Sequence, residues 1–421
     1  MIDNKLIREN IDLVKKNLLR RRVNFPLDEV ISIDENNREI TKKIEALNNI
    51  RNKTSEEFSR LKRDGRDTAI LLKEMEKVKA EIKKLEEEKA LITPKLINQL
   101  LFIPNILDES VPDGESEKDN KVVREELERK DFGFKVLPHW EIGENLGILD
   151  FKRAAKLSGA RFALLSDKGA VLERALINFM VDLHRTKHGY KEICPPYLVL
   201  ESTMRATGQL PKFSDELFKC KDDELYLIPT AEVPLTNLHR EEIIQEEELP
   251  IKYVSYTACF RREAGSYGKD TKGLIRNHQF NKVELLKFVH PEKAKESLNS
   301  LLGDAEEVLK LLEIPYRIIE LCSADVGFAA AKTYDIEVWM PGENRWREIS
   351  SCSLFTDFQS RRLGCKYRDK NKKLRFVYTL NGSGVAVGRT MAAILENFQT
   401  KNKKIMVPKV LEKYLDFDSI S

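Results

Sequence analysis

Between residues 28 and 97, apolar side chains recur with the alternating spacing of four and three residues that is typical of coiled-coil helices. The polar stretch KRDGRD, residues 62–67, interrupts this stripe, and its Gly65 can turn the chain because glycine adopts positive φ without strain. The pattern predicts two helices of about 30 residues in an antiparallel hairpin about 45 Å long. The apolar positions are Ile40, Ile44, Leu47, Phe58 and Leu61 before the turn and Leu71, Met75, Val78, Ile82, Leu85, Ile92 and Leu96 after it.

Basic side chains dominate the distal part of this predicted hairpin. A projecting basic tip could contact a phosphate backbone through its lysines and arginines. A solvated coiled coil without a ligand, or a dimerisation arm, fits the same pattern. The pattern alone leaves these interpretations open. The residues concerned are Arg51, Lys53, Arg60, Lys62, Arg63 and Arg66, against Glu56, Glu57 and Asp64.

The organisation of the chain changes after the hairpin. Residues 106–120, rich in Pro, Asp, Glu and Ser, are predicted to link an N-terminal domain, residues 1–105, to a second domain, residues 121–421. The second domain mixes helical stretches with strand pairs joined by tight or glycine-rich segments, which favours an antiparallel sheet and an α+β fold. The strand candidates are residues 190–199, 251–260, 278–289, 333–340 and 374–380, and one wide helical face covers residues 169–189.

Residues 259–280, CFRREAGSYGKDTKGLIRNHQF, place three arginines around a glycine-rich segment. If the flanking strands pair, residues 264–273 form a flexible loop, and the guanidinium forks of Arg261 and Arg276 suit the oxygens of a nucleoside triphosphate. Glu263 could accept a hydrogen bond from an exocyclic amino group of a nucleotide base, and Phe280 could stack on that base. A surface hairpin with solvated arginines is the alternative.

A second glycine-rich stretch, NGSGVAVGRT at residues 381–390, precedes a helical run. Its spacing matches neither a Walker A loop nor a dinucleotide fingerprint. We expect a turn from strand to helix with Arg389 in the first helical turn, a place that suits an anion. A packing role for the glycines is the alternative.

Two further stretches carry candidate chemistry. REISSCS, residues 347–353, brings Glu348 close to the hydroxyls of Ser350 and Ser351, hard oxygen donors that fit Mg²⁺ on nucleotide phosphates, although a capped turn has the same composition. In IPTAEVPL, Thr230 and Glu232 would share one face if the segment is extended.

Composition excludes several classes of protein. A net charge of +3 in 421 residues argues against a globally basic nucleic-acid binder, so such contacts would come from local patches. The charged start and the lack of a long apolar run favour a cytosolic protein without a membrane span. Six cysteines without a C-x-x-C pair argue against zinc and disulfides, the six histidines are interpreted as structural, and no G-x-S-x-G elbow is present.

Taken in order, these stretches resemble the bacterial-type seryl-tRNA synthetases over essentially the whole chain. The resemblance implies a class II synthetase domain, an antiparallel sheet flanked by helices, after an N-terminal coiled-coil arm, in a homodimer. It also implies ATP and Mg²⁺ as cofactors, with no zinc. The stretches are the helical hairpin, PHWEIG (138–143), GYKEICPPYLV, TGQLPKF (207–213), IPTAE, FRREAGSYGKDTKGLIRNHQFNKVE, EISSCS and NGSGVAVGRT.

The family's roles carry over to this chain residue by residue. Arg261 and Arg389 are the expected catalytic residues, Glu348 and Ser351 the Mg²⁺ ligands, and Pro196 the dimer-interface proline. The expected serine pocket is Thr230, Ala231, Glu232, Glu284 and Ser383. The expected ATP site is Arg261, Arg262, Glu263, Arg276, Asn277, Phe280, Glu348, Ile349, Ser350, Ser351 and Arg389. The expected tRNA contacts on the arm are Arg51, Lys53, Arg60 and Lys62.

The implied activity is activation of L-serine with ATP, followed by transfer to tRNA(Ser), and the family also admits tRNA(Sec). The arm would contact tRNA held over the other subunit's site. A ligase for another amino acid or for a carrier protein would keep the ATP residues but alter the pocket, and the predicted hairpin argues against it because ligases that load carrier proteins lack the arm. A non-catalytic RNA-binding or coiled-coil scaffold would lack Arg261, Arg389 or Glu348, and all three are present.

Overall fold

The structure is a computed structural model that describes residues 1–266, 270 and 272–421. Of the loop predicted at residues 264–273, Tyr267, Gly268, Lys269 and Thr271 lie outside the described residues. The chain forms two compact units. The smaller comprises Ile2–Leu19 and Val23–Pro104, and the larger comprises Met1, Arg20–Arg22 and Asn105–Ser421. Within the described part of the chain, no helix has both the length and the apolar composition to cross a membrane.

The smaller unit is helical. Its elements are α1 (Asn4–Glu9), α2 (Ile11–Arg20), α3 (Leu27–Arg63) and α4 (Ala69–Leu100). The predicted hairpin is confirmed: Gly65 turns the chain with φ of +68°, and Thr93 Oγ1 donates to Asn37 Oδ1 at 3.1 Å across the two helices. Stripe residues such as Ile44 and Ile82 are buried. With 37 residues, α3 is about 55 Å long.

The larger unit combines helices with several sheets. Its helices are α5 (His139–Asn145), α6 (Phe151–Ser158), α7 (Lys168–Thr186), α8 (Glu201–Thr207), α9 (Glu232–Thr236), α10 (Ala294–Leu311), α11 (Phe358–Leu363) and α12 (Val387–Asn397). Its strands are β1 (Lys121–Glu126), β2 (Lys191–Glu192), β3 (Leu198–Leu200), β4 (Leu225–Leu227), β5 (Ile243–Gln245), β6 (Ile251–Phe260), β7 (Gln279–Val289), β8 (Tyr316–Glu320), β9 (Lys332–Met340), β10 (Arg345–Thr356), β11 (Lys366–Arg368), β12 (Leu374–Phe376), β13 (Tyr378–Ala386), β14 (Ile405–Met406) and β15 (Ser419–Ile420).

An eight-stranded sheet is the centre of this unit, with strand order β1-β8-β9-β10-β13-β7-β6-β2. Neighbouring strands are antiparallel except β2 and β6, which confirms the antiparallel α+β prediction. Helices α7, α10 and α12 pack on one face, where Leu285, Ile336 and Leu380 belong to one continuous core. The other face carries polar side chains next to a second apolar cluster that includes Leu286 and Phe288.

The second glycine-rich stretch lies inside the sheet rather than in a turn. We expected a turn from strand to helix at residues 381–390, but β13 continues to Ala386 and α12 begins at Val387. The glycines are needed because β13 is packed closely on both sides. A Cβ on Gly382 would lie 2.7 Å from Cys352 Sγ, and one on Gly384 would lie 2.7 Å from His184 Nε2.

The predicted strand at residues 374–380 is two strands. Leu374–Phe376 pairs with β11 in a small sheet, whereas Tyr378–Ala386 enters the central sheet. The buried Val377 separates them and belongs to a different hydrophobic cluster. Hydrophobic periodicity could not show this break because residues 374–380 contain no glycine or proline that would signal a turn.

The segment predicted as a linker packs against the larger unit. Asn105 Nδ2 donates to the carbonyls of Phe355 at 2.8 Å and Ala329 at 3.0 Å. Leu107 and Val111 are buried in a cluster with Ile319 and other residues of that unit. These contacts hold the segment beside the loop between β8 and β9.

We predict that Gly384→Ala destabilises the fold by about 1 to 3 kcal/mol, because the added methyl group would overlap His184 and crowd Leu285 in a packed interior. Gly303→Ala is the matched control, since Gly303 lies in α10 with open space at its Cβ position. There alanine should be neutral or stabilising by up to about 1 kcal/mol. Urea unfolding measures both; equal stabilities of the two variants would contradict the close packing of β13.

Candidate active site

The polar face of the central sheet opens into a cavity of about 640 Å³. Strand alternation brings its side chains together: Phe280, Lys282 and Glu284 of β7 face the cavity, while Val283 and Leu285 face the helices. Strands β10 and β13 add further walls in the same way. The cavity is therefore lined by charged and polar groups that three neighbouring strands present.

One end of the cavity is basic and aromatic. Arg261 directly follows β6, and its guanidinium carbon lies 5.2 Å from the centre of the Phe280 ring. Arg389 stands in the first turn of α12, as expected, where Nε donates to Ile275 O at 3.1 Å and Nη1 donates to Glu348 O at 2.7 Å. A guanidinium group over an aromatic ring, with a second guanidinium group lining the same cavity, suits an anionic ligand that carries a flat ring.

Arg276 and Glu263 pair with each other at the edge of this region. Arg276 Nη1 lies 2.9 Å from Glu263 Oε2, and both residues line the cavity. Glu263 is held with φ of +53°, an uncommon conformation for a non-glycine residue. A ligand that binds to either side chain would therefore replace the ion pair between Arg276 and Glu263.

The opposite part of the cavity contains a buried polar cluster. Lys282 forms an ion pair with Glu284, and its Nζ donates to Thr230 Oγ1 at 2.8 Å. Thr230 Oγ1 in turn donates to Glu284 Oε2 at 3.1 Å. Ser383 of β13 lies opposite Glu284 in the strand register. Such a cluster fits a small ligand with both donors and acceptors.

Glu232 reaches this cluster from a helix, not from an extended segment. The expectation that Thr230 and Glu232 share a face of extended chain is wrong, because Glu232 begins α9 and the chain already turns at Ala231. Both side chains nevertheless line the cavity. Glu232 Oε1 accepts from Gln359 Nε2 at 2.6 Å.

Burial changes the protonation of Glu232. The pKa of Glu232 is raised to about 7. Burial away from solvent is the main cause, and repulsion from the Glu284 carboxylate is the second. The hydrogen bond from Gln359 acts in the opposite direction. The carboxylate is therefore poised to gain its charge when a cationic group enters the cavity.

Strands β9 and β10 place oxygen donors beside Arg389. Glu348 and Ser351 both line the cavity, and the β10 bulge between Glu348 and Ser350 lets them share a side of the strand. Asp335 of β9 lies opposite Ser351 in the register. The pKa of Asp335 is raised well above its usual value, mainly by burial and to a smaller extent by repulsion from the Glu348 carboxylate. A carboxylate and a hydroxyl form a donor set that fits Mg²⁺.

His139 supports the segment that leads into β7. Its Nε2 accepts from the backbone N–H of Leu274 at 3.0 Å, and its Nδ1 lies 2.8 Å from Glu396 Oε1. His139, Glu343 and Glu396 offer ligand atoms within 4.8 Å of one another. Because both ring nitrogens are already hydrogen-bonded, the arrangement serves as a support for Leu274. This agrees with the structural role expected for the histidine.

Most of the expected site residues meet in this cavity, and three do not line it. Ala231 is buried behind it, Arg262 is exposed, and Ser350 turns away to donate to Ser383 O at 2.6 Å. The residues brought together are Thr230, Glu232, Arg261, Glu263, Arg276, Asn277, Phe280, Glu284, Glu348, Ile349, Ser351, Ser383 and Arg389.

Sequence reasoning missed several residues of the site. Lys282 could have been found, because strand alternation places it on the same face as Phe280 and Glu284. Asn381 could have been found in the same way, because alternation along β13 places it on the same face as the expected Ser383. Gln359 carries no such signal, since its approach to the site depends on tertiary packing. Gln359 reaches Glu232 from α11, and Asn381 lines the cavity from β13.

The remaining expected residues lie at the surface. Arg51, Lys53, Arg60 and Lys62 are exposed on the distal half of α3, and Arg60 lies 4.0 Å from the Glu57 carboxylate. Pro196 is exposed between β2 and β3. Two large apolar side chains of β3, Leu198 and Leu200, are exposed close by.

Both parts of the chain match described protein families. Residues 1–107 match the seryl-tRNA synthetase N-terminal domain, and residues 217–398 match the tRNA synthetase class II core domain of the G, H, P, S and T group. The chain is 53% identical to a serine–tRNA ligase of Thermodesulfovibrio yellowstonii over 100% of both proteins. It is 54% identical to one of Acetivibrio thermocellus over 99% of this chain and 98% of the relative.

Solved structures agree with these matches. The seryl-tRNA synthetase of Pyrococcus horikoshii, complexed with ATP, is 39% identical and superposes with a TM-score of 0.93 over 100% of this chain and 99% of that one. The cytoplasmic serine–tRNA ligase of Naegleria fowleri, in complex with AMP, gives a TM-score of 0.88 at 30% identity, with coverage of 100% and 99%. The likeness therefore extends over the arm and the cavity-bearing unit alike.

Proposed function

The chain belongs to the seryl-tRNA synthetase family, which charges tRNA with serine at the expense of ATP, and from this premise we propose how its own residues perform the reaction. One observation carries the proposal. The polar cluster of Thr230, Glu232 and Glu284 shares a single cavity with Arg261 and Arg389. An amino acid and a nucleotide can thus be held side by side.

ATP binds at the basic end in this proposal. Adenine stacks on Phe280, with Arg389 on its other side, and Arg261 holds the α-phosphate. Glu263 and Arg276 give up their mutual ion pair, so that Glu263 accepts from the adenine amino group and Arg276 steers the outer phosphates. Asn277 and Ile349 complete the walls, and Arg262 and Ser350 act through their backbone.

Serine binds at the buried cluster. Glu232 receives its ammonium group, and Glu284, held by Lys282 and Thr230, accepts a hydrogen bond from the serine hydroxyl. Ala231 and Ser383 fix the shape of the pocket. A site that hydrogen-bonds the hydroxyl rejects alanine strongly, whereas exclusion of threonine depends on one methyl group and is worth only about 1 to 3 kcal/mol.

In the first step the serine carboxylate attacks the α-phosphate in line, and pyrophosphate leaves. Arg261 and Arg389 neutralise the developing charge, so that positioning and electrostatics supply the rate without a covalent residue. Glu348 and Ser351 would hold Mg²⁺, which when bound spreads and neutralises charge on the phosphates. In the second step a hydroxyl of the terminal tRNA ribose attacks the acyl group and releases AMP.

We further propose that residues 1–105 form the tRNA-binding domain and residues 121–421 the catalytic domain, joined by residues 106–120. The protein acts in the cytoplasm as a homodimer, with Pro196 and the exposed Leu198 and Leu200 in the interface. Arg51, Lys53, Arg60 and Lys62 contact the tRNA held by the other subunit, either tRNA(Ser) or, where it exists, tRNA(Sec).

We predict serine-dependent exchange of pyrophosphate with ATP, with far less exchange for alanine. Arg261→Ala should lower the exchange rate at least about 100-fold, because it removes a charge aimed at the reacting phosphate. Arg375→Ala is the control, since Arg375 is a solvent-exposed residue of β12 paired with Asp369. Equal exchange with serine and alanine, or full activity of Arg261→Ala, would refute the proposed chemistry.

The protonation of Glu232 predicts how serine affinity depends on pH. As pH falls below about 7, Glu232 becomes neutral in the free enzyme, so that binding of the serine ammonium must expel a proton. The KM for serine should rise by up to about tenfold per pH unit, while kcat at saturating serine stays constant. In Glu232→Gln the KM should be high throughout and lose this slope. A KM for serine that is flat from pH 6 to 8 in the natural protein would contradict the role of Glu232.

The arm is tested by reversing Arg51, Lys53, Arg60 and Lys62 to glutamate together. We expect kcat/KM for tRNA charging to fall at least about tenfold at low salt, with serine-dependent exchange unchanged, because only phosphate contacts are lost. The control reverses Lys77, Lys79, Lys83 and Lys84 of α4, four exposed lysines with the same total charge change. An equal loss in the control would mean that the overall charge of the arm, and not these four residues, determines tRNA binding.

A further inference from the structure

A carboxylate oxygen beside the cavity has no hydrogen-bond partner. Oδ1 of Asp335 is shielded from solvent and makes no hydrogen bond within the part of the chain that the structure describes. Burying a charged oxygen without a partner costs several kcal/mol, so such atoms in folded proteins call for an explanation. The sequence assigned no role to Asp335.

The neighbours of Asp335 on the same face of β9 are satisfied. Thr333 Oγ1 lies 2.8 Å from Ser353 Oγ, and Glu337 accepts from Arg317 Nε at 2.6 Å. Asp335 stands between them, two residues from each. The lack of a partner is therefore a property of this one position and not of the whole strand.

The charges around Asp335 are of its own sign. The groups that act on it most strongly through their charge are the carboxylates of Glu348, Asp325 and Glu337. Glu337 is paired with Arg317, and Glu348 has its nearest cation, Arg389, at 3.5 Å. Arg317 and Arg389 thus compensate Glu337 and Glu348. Within the part of the chain that the structure describes, the Asp335 carboxyl group accepts a hydrogen bond from Ser351 but pairs with no cation.

The strand register sets Asp335 against the expected metal ligands. Its Cα partner on β10 is Ser351, and residues directly opposite in an antiparallel pair have Cβ atoms about 4.5 to 5.5 Å apart. Ser351 and Glu348 both line the cavity. A carboxylate and a hydroxyl from one strand thus meet a second carboxylate from the next.

We propose that Asp335 supplies a third protein oxygen to the divalent cation held by Glu348 and Ser351, and this inference rests on the function proposed above. Mg²⁺ takes six oxygen ligands and is held through carboxylates together with phosphate oxygens and water. The cation compensates the charge that Asp335 and Glu348 bring together.

The test uses Asp335→Asn, which keeps the shape and removes the charge. The affinity for α,β-methylene-ATP is measured by calorimetry in EDTA and in excess Mg²⁺, and the melting temperature is measured without ligand. In EDTA the variant should bind the analogue as tightly as the natural protein or up to about tenfold more tightly, because one repulsive charge is gone. In Mg²⁺ it should bind at least about tenfold more weakly, the usual loss when a metal site loses a ligand or its support. Its melting temperature should equal or exceed that of the natural protein.

Two further variants make the outcome decisive. Glu337→Gln, on the same face of β9, should keep the full Mg²⁺-dependent gain in affinity, whereas Glu348→Gln should lose it. Weaker analogue binding by Asp335→Asn in both EDTA and Mg²⁺, with a lower melting temperature, would assign Asp335 a structural role and overturn the inference. If Mg²⁺ increases the analogue affinity of Asp335→Asn as much as that of the natural protein, and Glu348→Gln loses this increase, then the role of Asp335 is refuted while the proposed metal site stands. No such gain in the natural protein would overturn the proposed metal site as well.

Discussion

The close packing of strand β13 between its neighbours is the constraint on which the site depends. Gly382 and Gly384 allow Cys352 and His184 to approach within a distance that any side chain would prevent. Because β7 and β10 flank β13, this approach fixes how far apart their cavity-facing side chains stand. The helices on the far face hold the three strands in place through a continuous apolar core. Substrate geometry is therefore set by backbone packing, with the reacting groups carried on rigid strands.

Charge is divided across the cavity so that each end recognises a different part of the chemistry. Arg261 and Arg389 make one end suitable for phosphates, whereas Glu232 and Glu284 make the other suitable for an amino group and a hydroxyl. Lys282 lies between, and its ion pair with Glu284 reduces the cost of burying that carboxylate. Among the described residues Glu232 has no such ion pair, and its raised pKa reflects the cost of burying a second carboxylate close to Glu284. A cationic ligand group in the cavity would offset this cost.

The segment between β6 and β7 is anchored at several points by side chains from other parts of the chain. Backbone N–H groups of Ala264 and Gly265 donate to Glu216, and Asp270 pairs with Arg345 and Arg347. His139 holds Leu274 through its ring nitrogen. Arg276, which follows directly, is thereby placed at the cavity edge. These supports come from three distant parts of the chain.

The sequence by itself determined the elements whose signal is local and repeated. The coiled-coil hairpin follows from the spacing of its apolar residues and from Gly65, and the strands around Arg261 follow from their apolar runs and the polar segment between them. Motif order was enough to indicate the family. What only the tertiary structure decided is which side chains meet. The division at Val377, the start of α9 at Glu232, the place of the glycines inside β13, and the partners Gln359 and Asp335 all depend on contacts between distant residues. Such contacts leave no periodic trace, because burial and charge compensation act across strands and not along them.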